Sequence, residues 1–164
     1  MIEGIIIVLG ILLDQWSKAW IYTNLYRQAV SIIPGMLSYA YTENTGAAFG
    51  MLSNSTWLLA AASAILAGVL FYVLVKYRKE LSKLSKIALA FMISGAIGNL
   101  IDRVFRGFVV DFIQVDFVNF AVFNIADIMA VMGTILLILA LVFVEYKNVK
   151  EITAKNGDDT DGDA

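Results

Sequence analysis

The chain has 164 residues, 60% hydrophobic and 16% charged, with a mean hydropathy of +0.78, which places it in the membrane class and predicts one membrane-embedded domain over 1–164. It contains no cysteine and no histidine, which excludes disulfides, thiolate metal sites, a cysteine nucleophile and any histidine general base. Acid–base chemistry at neutral pH therefore falls to Asp, Glu, Lys or Tyr, and the net charge of −2 merely averages a basic loop against an acidic tail.

The first apolar run covers about 4–22, passing through Asp14-Gln15-Trp16-Ser17-Lys18. The only charge before it is Glu3, the wrong sign for a cleaved signal peptide, so a retained spanning helix is predicted. Trp16, Trp20, Tyr22 and Tyr26 suit an interfacial aromatic belt at its far end. Residues 23–55 are too polar to span. Ala29 to Ile33 and Met36 to Tyr41 read as two strands around Pro34-Gly35, and Thr42 to Gly50 reads as a turn-like stretch opening a short surface helix. A second span is predicted over about 57–75, followed by the basic loop with Lys76, Arg78, Lys79, Lys83 and Lys86. A third span covers about 87–105. Residues 106–121 do not span, and Gly107 to Val115 reads as a strand. The fourth span covers about 122–144, and the acidic tail 156–164 reads as disordered.

Lys and Arg bias predicts orientation. The middle loop has five and the C-terminal region adds Lys147, Lys150 and Lys155, against Arg27, Arg103 and Arg106 in the other two loops. Both termini and the middle loop are therefore expected in the cytoplasm, with both strand-bearing loops outside. At about 1.5 Å per helical residue, Asp14 lies roughly 15 Å from the inner edge, and Asn99 and Asp102 roughly 18–22 Å. Asp127, counted from the other side, lies about 8 Å below the outer edge. Polar groups from three helices then share one layer, which predicts a polar pocket opening outward.

Asp14 and Lys18 stand four apart with the acid first, the favourable order for a helical ion pair. Gly95 and Gly98, with Ala90 and Ser94, suit close helix packing. Asn99, Asp102, Arg103 and Arg106 share a helical face, where Asp102 can pair with Arg106 and has Arg103 beside it; this favours a structural Asp102. Asp111 and Asp127 differ, because apolar residues flank both: Val110 and Phe112 around one, Ala126 and Ile128 around the other. Two buried carboxylates facing each other would share a proton, as in aspartic proteases; a structural or ion-pathway role is the alternative.

These motifs are similar to those of the lipoprotein signal peptidase family, also called signal peptidase II. The matching pieces are Asp14 to Lys18, Asn44-Thr45-Gly46-Ala47-Ala48-Phe49, Gly95 to Arg103, Val109-Val110-Asp111-Phe112 and Phe123-Asn124-Ile125-Ala126-Asp127. They fall in order along nearly the whole chain. The family often has a small hydroxyl residue after the last aspartate, where this chain has Ile128.

The resemblance implies an all-α membrane protein of four transmembrane helices, with a small extracytoplasmic antiparallel β-sheet and a short surface helix. It implies an intramembrane aspartic peptidase of the bacterial inner or plasma membrane, and a target of the cyclic peptide globomycin. Its substrates would be prolipoproteins carrying a diacylglyceryl cysteine, cut just before that cysteine. By the family pattern the catalytic pair is Asp111 and Asp127, while Asp14, Lys18, Asn44, Gly46, Asn99, Asp102, Arg103 and Asn124 bind substrate or support the pocket. No metal and no other cofactor is expected; membrane lipids are expected partners, nucleic acid is not, and a monomer is expected. A magnesium-dependent lipid phosphotransferase using Asp102, Asp111 and Asp127 is the enzymatic alternative. A small ion or drug transporter is the other, and a purely structural subunit would leave the carboxylates without a role.

Overall fold

A computed structural model describes residues 1–46 and 55–158, with side chains described as far as Phe143. Along the described residues run α1 (Ile2–Asn24), β1 (Ala29–Ile33), β2 (Leu37–Asn44), α2 (Thr56–Lys76), α3 (Lys83–Phe105), β3 (Val109–Val115) and α4 (Ile125–Asp158). Four helical stretches, 2–24, 56–76, 83–105 and 125–143, are long and apolar enough to cross a membrane. The protein is thus mostly helical, with one small sheet, as the sequence predicts.

The bundle is built around α3, half of whose span is buried against 22% for each of the others. Small residues allow this: Ala88, Ala90, Ser94, Gly95 and Gly98 are all buried on α3, and without bulky side chains neighbouring backbones approach closely. At Gly98 a Cβ would sit 2.6 Å from Asp14 Oδ2. A larger residue would push α1 off α3 at the level of the polar layer. Helix α2 buries Ala60, Ala67 and Leu74, a seven-residue repeat that forms a single seam. Its other faces, like much of α1 and α4, expose Leu, Ile, Val and Phe, the pattern of a surface solvated by lipid rather than water.

The sheet has the order β1-β2-β3, antiparallel throughout. Pro34 and Gly35 make the first hairpin turn, with Met36 N donating to Ile33 O at 2.9 Å and Gly35 at φ +71°. Proline presets the first turn position and only glycine takes the second without strain. Strand β2 continues to Asn44, so residues 42–44, expected as part of a turn, are strand. They pair with β3, Thr42 opposite Asp111 and Asn44 opposite Val109, beyond a bulge after Tyr39. The cross-strand hydrogen bonds outweigh the turn propensity of Glu43 and Asn44. The remainder of the expected surface helix, residues 47–50, lies outside the described residues. Ile21 of α1 packs with Val110 and Phe112 of β3 and the partly buried Tyr39 and Tyr41, which clamps the sheet onto one end of the bundle.

The fourth helix begins at Ile125 rather than near 122. Phe123 instead bridges to Ile113, accepting at 2.8 Å and donating at 3.1 Å. Asn124 then caps the helix: its Oδ1 accepts from Asp127 N at 3.0 Å, and Asp127 Oδ2 accepts from Asn124 N at 3.1 Å. This reciprocal capping box satisfies two donors that a helix start leaves open. At its other end α4 runs to Asp158, past the expected start of the tail at 156; residues 159–164 lie outside the described residues.

Candidate functional site

The polar layer consists of two joined clusters. The first is ionic and sealed. Lys18 and Asp14 are wholly buried and pair at 2.9 Å, as their spacing predicts. Lys18 also pairs with Asp102 at 3.1 Å, which the spacing could not show. Asp102 bonds Arg106 one turn on, and its Oδ2 accepts from Val110 N at 3.1 Å. Gln15 Nε2 lies 3.1 Å from Asp14 Oδ2 and 3.2 Å from Asp102 Oδ1, and donates to Gly98 O at 3.0 Å. Asp14 Oδ1 accepts from Ala126 N at 2.9 Å, locking α1 onto the first turn of α4. Two carboxylates face two cations here, so the charge balances in a place where an unpaired ion would cost several kcal/mol. Arg103, expected beside Asp102, turns away from it. Its Nη2 donates to Gly46 O at 3.3 Å.

The second cluster is built on amides. Asp111 sits on β3 and is 2% exposed; its Oδ1 accepts from Asn124 Nδ2 at 2.6 Å and its Oδ2 from Asn44 Nδ2 at 2.8 Å. Asn44 Oδ1 accepts from Gly46 N at 2.9 Å, which orients that amide. Asp127, half-buried in the first turn of α4, accepts from Asn99 Nδ2 at 2.8 Å and from Asn124 N at 3.1 Å. Asn124 therefore touches both carboxylates. Burial, with the neighbouring Asp127 charge second, pushes the Asp111 carboxyl up to about 7 against the opposing pull of the Asn44 and Asn124 amides and the Lys18 charge. A carboxylate in water gains more from solvent than from two amides, so desolvation prevails.

A cavity of about 480 Å³ opens beside this pair. Asn44, Asn99, Arg103, Asp111 and Asp127 form its polar end, and Val122, Phe123, Ile128, Val131 and Met132 are among its apolar walls. Arg103 Nε has no hydrogen-bond partner among the described residues although it is buried. Asp102 does not line the cavity, because its oxygens are engaged by Lys18, Arg106, Gln15 and Val110 N. Among the described residues no three Asp or Glu side chains converge in a way that could hold a metal ion.

The sequence-derived residues thus divide. Asp111, Asp127, Asn44, Asn99 and Arg103 meet at the cavity; Asn124 and Gly46 brace them from behind; Asp14, Lys18 and Asp102 belong to the ionic cluster one layer away. Sequence reasoning missed Gln15 and the backbone donors of Val110 and Ala126. It also missed the cap formed by Asn124 and Asp127, although their three-residue spacing before an apolar run was a legible signal.

The family model described as Signal peptidase (SPase) II matches residues 6–143. A lipoprotein signal peptidase of Streptococcus thermophilus is 44% identical over 131 residues, covering 79% of this chain and 84% of that protein. One from Clostridium novyi is 42% identical over 144 residues, covering 85% and 96%. A solved bacterial membrane enzyme superimposes with a TM-score of 0.77 at 33% identity, covering 85% of this chain and 87% of its own. A second gives 0.75 at 34%, covering 85% and 91%.

Proposed function

Since this chain belongs to the signal peptidase II family, a family of peptidases, and is a multi-pass membrane protein, we propose that it is an intramembrane aspartic endopeptidase. It removes the signal peptide from diacylglyceryl-modified prolipoproteins, cutting just before the lipidated cysteine. The observation that carries this is the convergence of Asp111 and Asp127 on one cavity, each held by asparagine amides and neither joined to a cation within 4 Å among the described residues. Such carboxylates remain available for proton transfer, unlike Asp14 and Asp102.

The surroundings divide the labour. Asp111, buried and raised to about 7, still holds its proton in a large share of the molecules at neutral pH, and that protonated form is the reactive one. It hydrogen-bonds the scissile carbonyl and stabilises the oxyanion as the carbonyl becomes tetrahedral. Asp127 sits at a helix N-terminus among N–H donors, a setting for an anion. It takes a proton from the attacking water, then passes it to the leaving amine. The Arg103 Nε supplies a donor for a substrate carbonyl, and the apolar walls receive the side chains before the cut and the lipid chains after it.

The pH profile tests this assignment. Loss of the Asp111 proton should lower kcat/KM for a diacylated peptide about tenfold per pH unit above pH 7. A rate still flat at pH 9 would show that no protonated Asp111 takes part.

Orientation follows from the eight Lys and Arg of the middle loop and C-terminal region against three in the other two loops. The sheet and cavity mouth face outward, toward exported substrates. A reporter fused after Lys79 should read cytoplasmic and one inserted at Gly35 extracytoplasmic. The opposite pattern would put the cavity on the wrong side.

A further inference from the structure

We infer that Lys18 is a positioning residue, whose buried ammonium fixes the Asn99 amide and so aims its N–H at the Asp127 carboxylate. The inference rests on the assignment of Asp127 to the reacting pair. An ammonium has three N–H donors, and all three are used here. Two reach the carboxylates of Asp14 and Asp102, at 2.9 and 3.1 Å. The third reaches a neutral group, Asn99 Oδ1, at 2.9 Å. Charge balance does not require that third contact, since Arg106 already supplies the second cation. It links the ionic cluster to the amide cluster.

Asn99 has two faces, and the arrangement uses both. Its Oδ1 accepts from Lys18, and its Nδ2 donates to Asp127 Oδ1 at 2.8 Å. Turned by half a rotation, the amide would set its oxygen against the Asp127 carboxylate and its N–H groups against the ammonium. Both contacts would be repulsive, so the cation selects one orientation. Asn124 Nδ2 also reaches Asn99 Oδ1, at 3.1 Å, but it lies closer to Asp111, at 2.6 Å, and it is neutral. A charge-assisted hydrogen bond is roughly twice as strong as a neutral one. It also polarises the amide, making Nδ2 a better donor to an anionic Asp127. Lys18 is 0% exposed and does not line the cavity, so it acts on the reaction through Asn99 and never touches substrate.

Removing Lys18 alone would leave the cluster with an excess negative charge and put folding at risk. The test therefore uses the charge-balanced variant D14N/K18M, in which the amide oxygen introduced at position 14 can still accept from Ala126 N. This variant, N99A, the triple variant and D127N are compared with the unaltered protein on a diacylated lipobox peptide, with kcat expressed per folded molecule. D14N/K18M should lower kcat roughly 10- to 100-fold, the scale of a misplaced reacting group, with KM changed less than about twofold. If Lys18 works through Asn99, the triple variant should be no slower than N99A. Losses that multiply in the triple variant, or an unchanged kcat in D14N/K18M, would overturn the inference. Should D14N/K18M not fold, the same cycle is run with D14N/K18Q, which keeps an N–H donor in place. Failure of both to fold would reduce Lys18 to an ion-pair partner and likewise overturn it. D127N keeps the two questions apart: cleavage by that variant would contradict the proposed function, whereas an inactive D127N with an unaffected D14N/K18M contradicts only the role of Lys18.

Discussion

Asp111→Asn and Asp127→Asn should each lower turnover of a diacylated lipobox peptide by at least about 10³-fold, the range that positioned acid–base groups contribute. Asparagine keeps the size of the side chain and an acceptor oxygen for Asn124, but it neither titrates nor takes a proton from water. Folding should survive both changes. For Asp111 the sign can be worked out. Its folded value, about 7, lies above the ordinary aspartate value of 3.8, so the native state holds the proton more tightly than the unfolded chain. Its contribution to stability is then full below about pH 4 and is lost as pH rises toward 7. Asp111→Asn removes that dependence, and at pH 8 its Tm in detergent should equal or exceed that of the unaltered protein. A large drop in Tm would mean that Asp111 is a structural anion.

Asp102→Asn should do the reverse and fail first in stability. Asp102 is wholly buried and engaged by Lys18, Arg106, Gln15 and Val110 N. Asparagine would turn an N–H group toward two cations and leave them with Asp14 as their one anion. Breaking such a buried pair costs roughly 3–5 kcal/mol, a large share of the total stability of a domain. Little folded protein should accumulate, and its Tm should fall well below that of Asp111→Asn. Equal stability of the two variants would show that the division into an ionic scaffold and a reacting pair is wrong.

The features legible in the sequence were those written in local spacing. Asp14 and Lys18, and Asp102 and Arg106, are one helical turn apart, and both pairs form. Apolar runs gave the four spans, and Pro34-Gly35 gave the hairpin. The flanks of Asp111 and Asp127 separated them from the paired carboxylates. What the sequence hid depends on residues far apart in the chain. The bond from Asn44 to Asp111 crosses 67 residues and that from Lys18 to Asn99 crosses 81; no periodicity records which amide meets which acid. Nothing in the local spacing singles out Gln15, and only the approach of α3 brings it to Gly98 O and Asp102. The start of α4 was misplaced because Val122 and Phe123 are as apolar as the helix they precede, while the capping pair that stops it lies just beyond.

Asp111 and Asp127 are proposed to hydrolyse the peptide bond of a lipidated prolipoprotein by proton transfer alone. This is tested most directly by incubating purified protein with a diacylglyceryl lipobox peptide in excess EDTA and weighing the products. A single cut just before the lipidated cysteine is expected, at the same rate with and without chelator. Cleavage that stops in EDTA and returns with magnesium would contradict this mechanism.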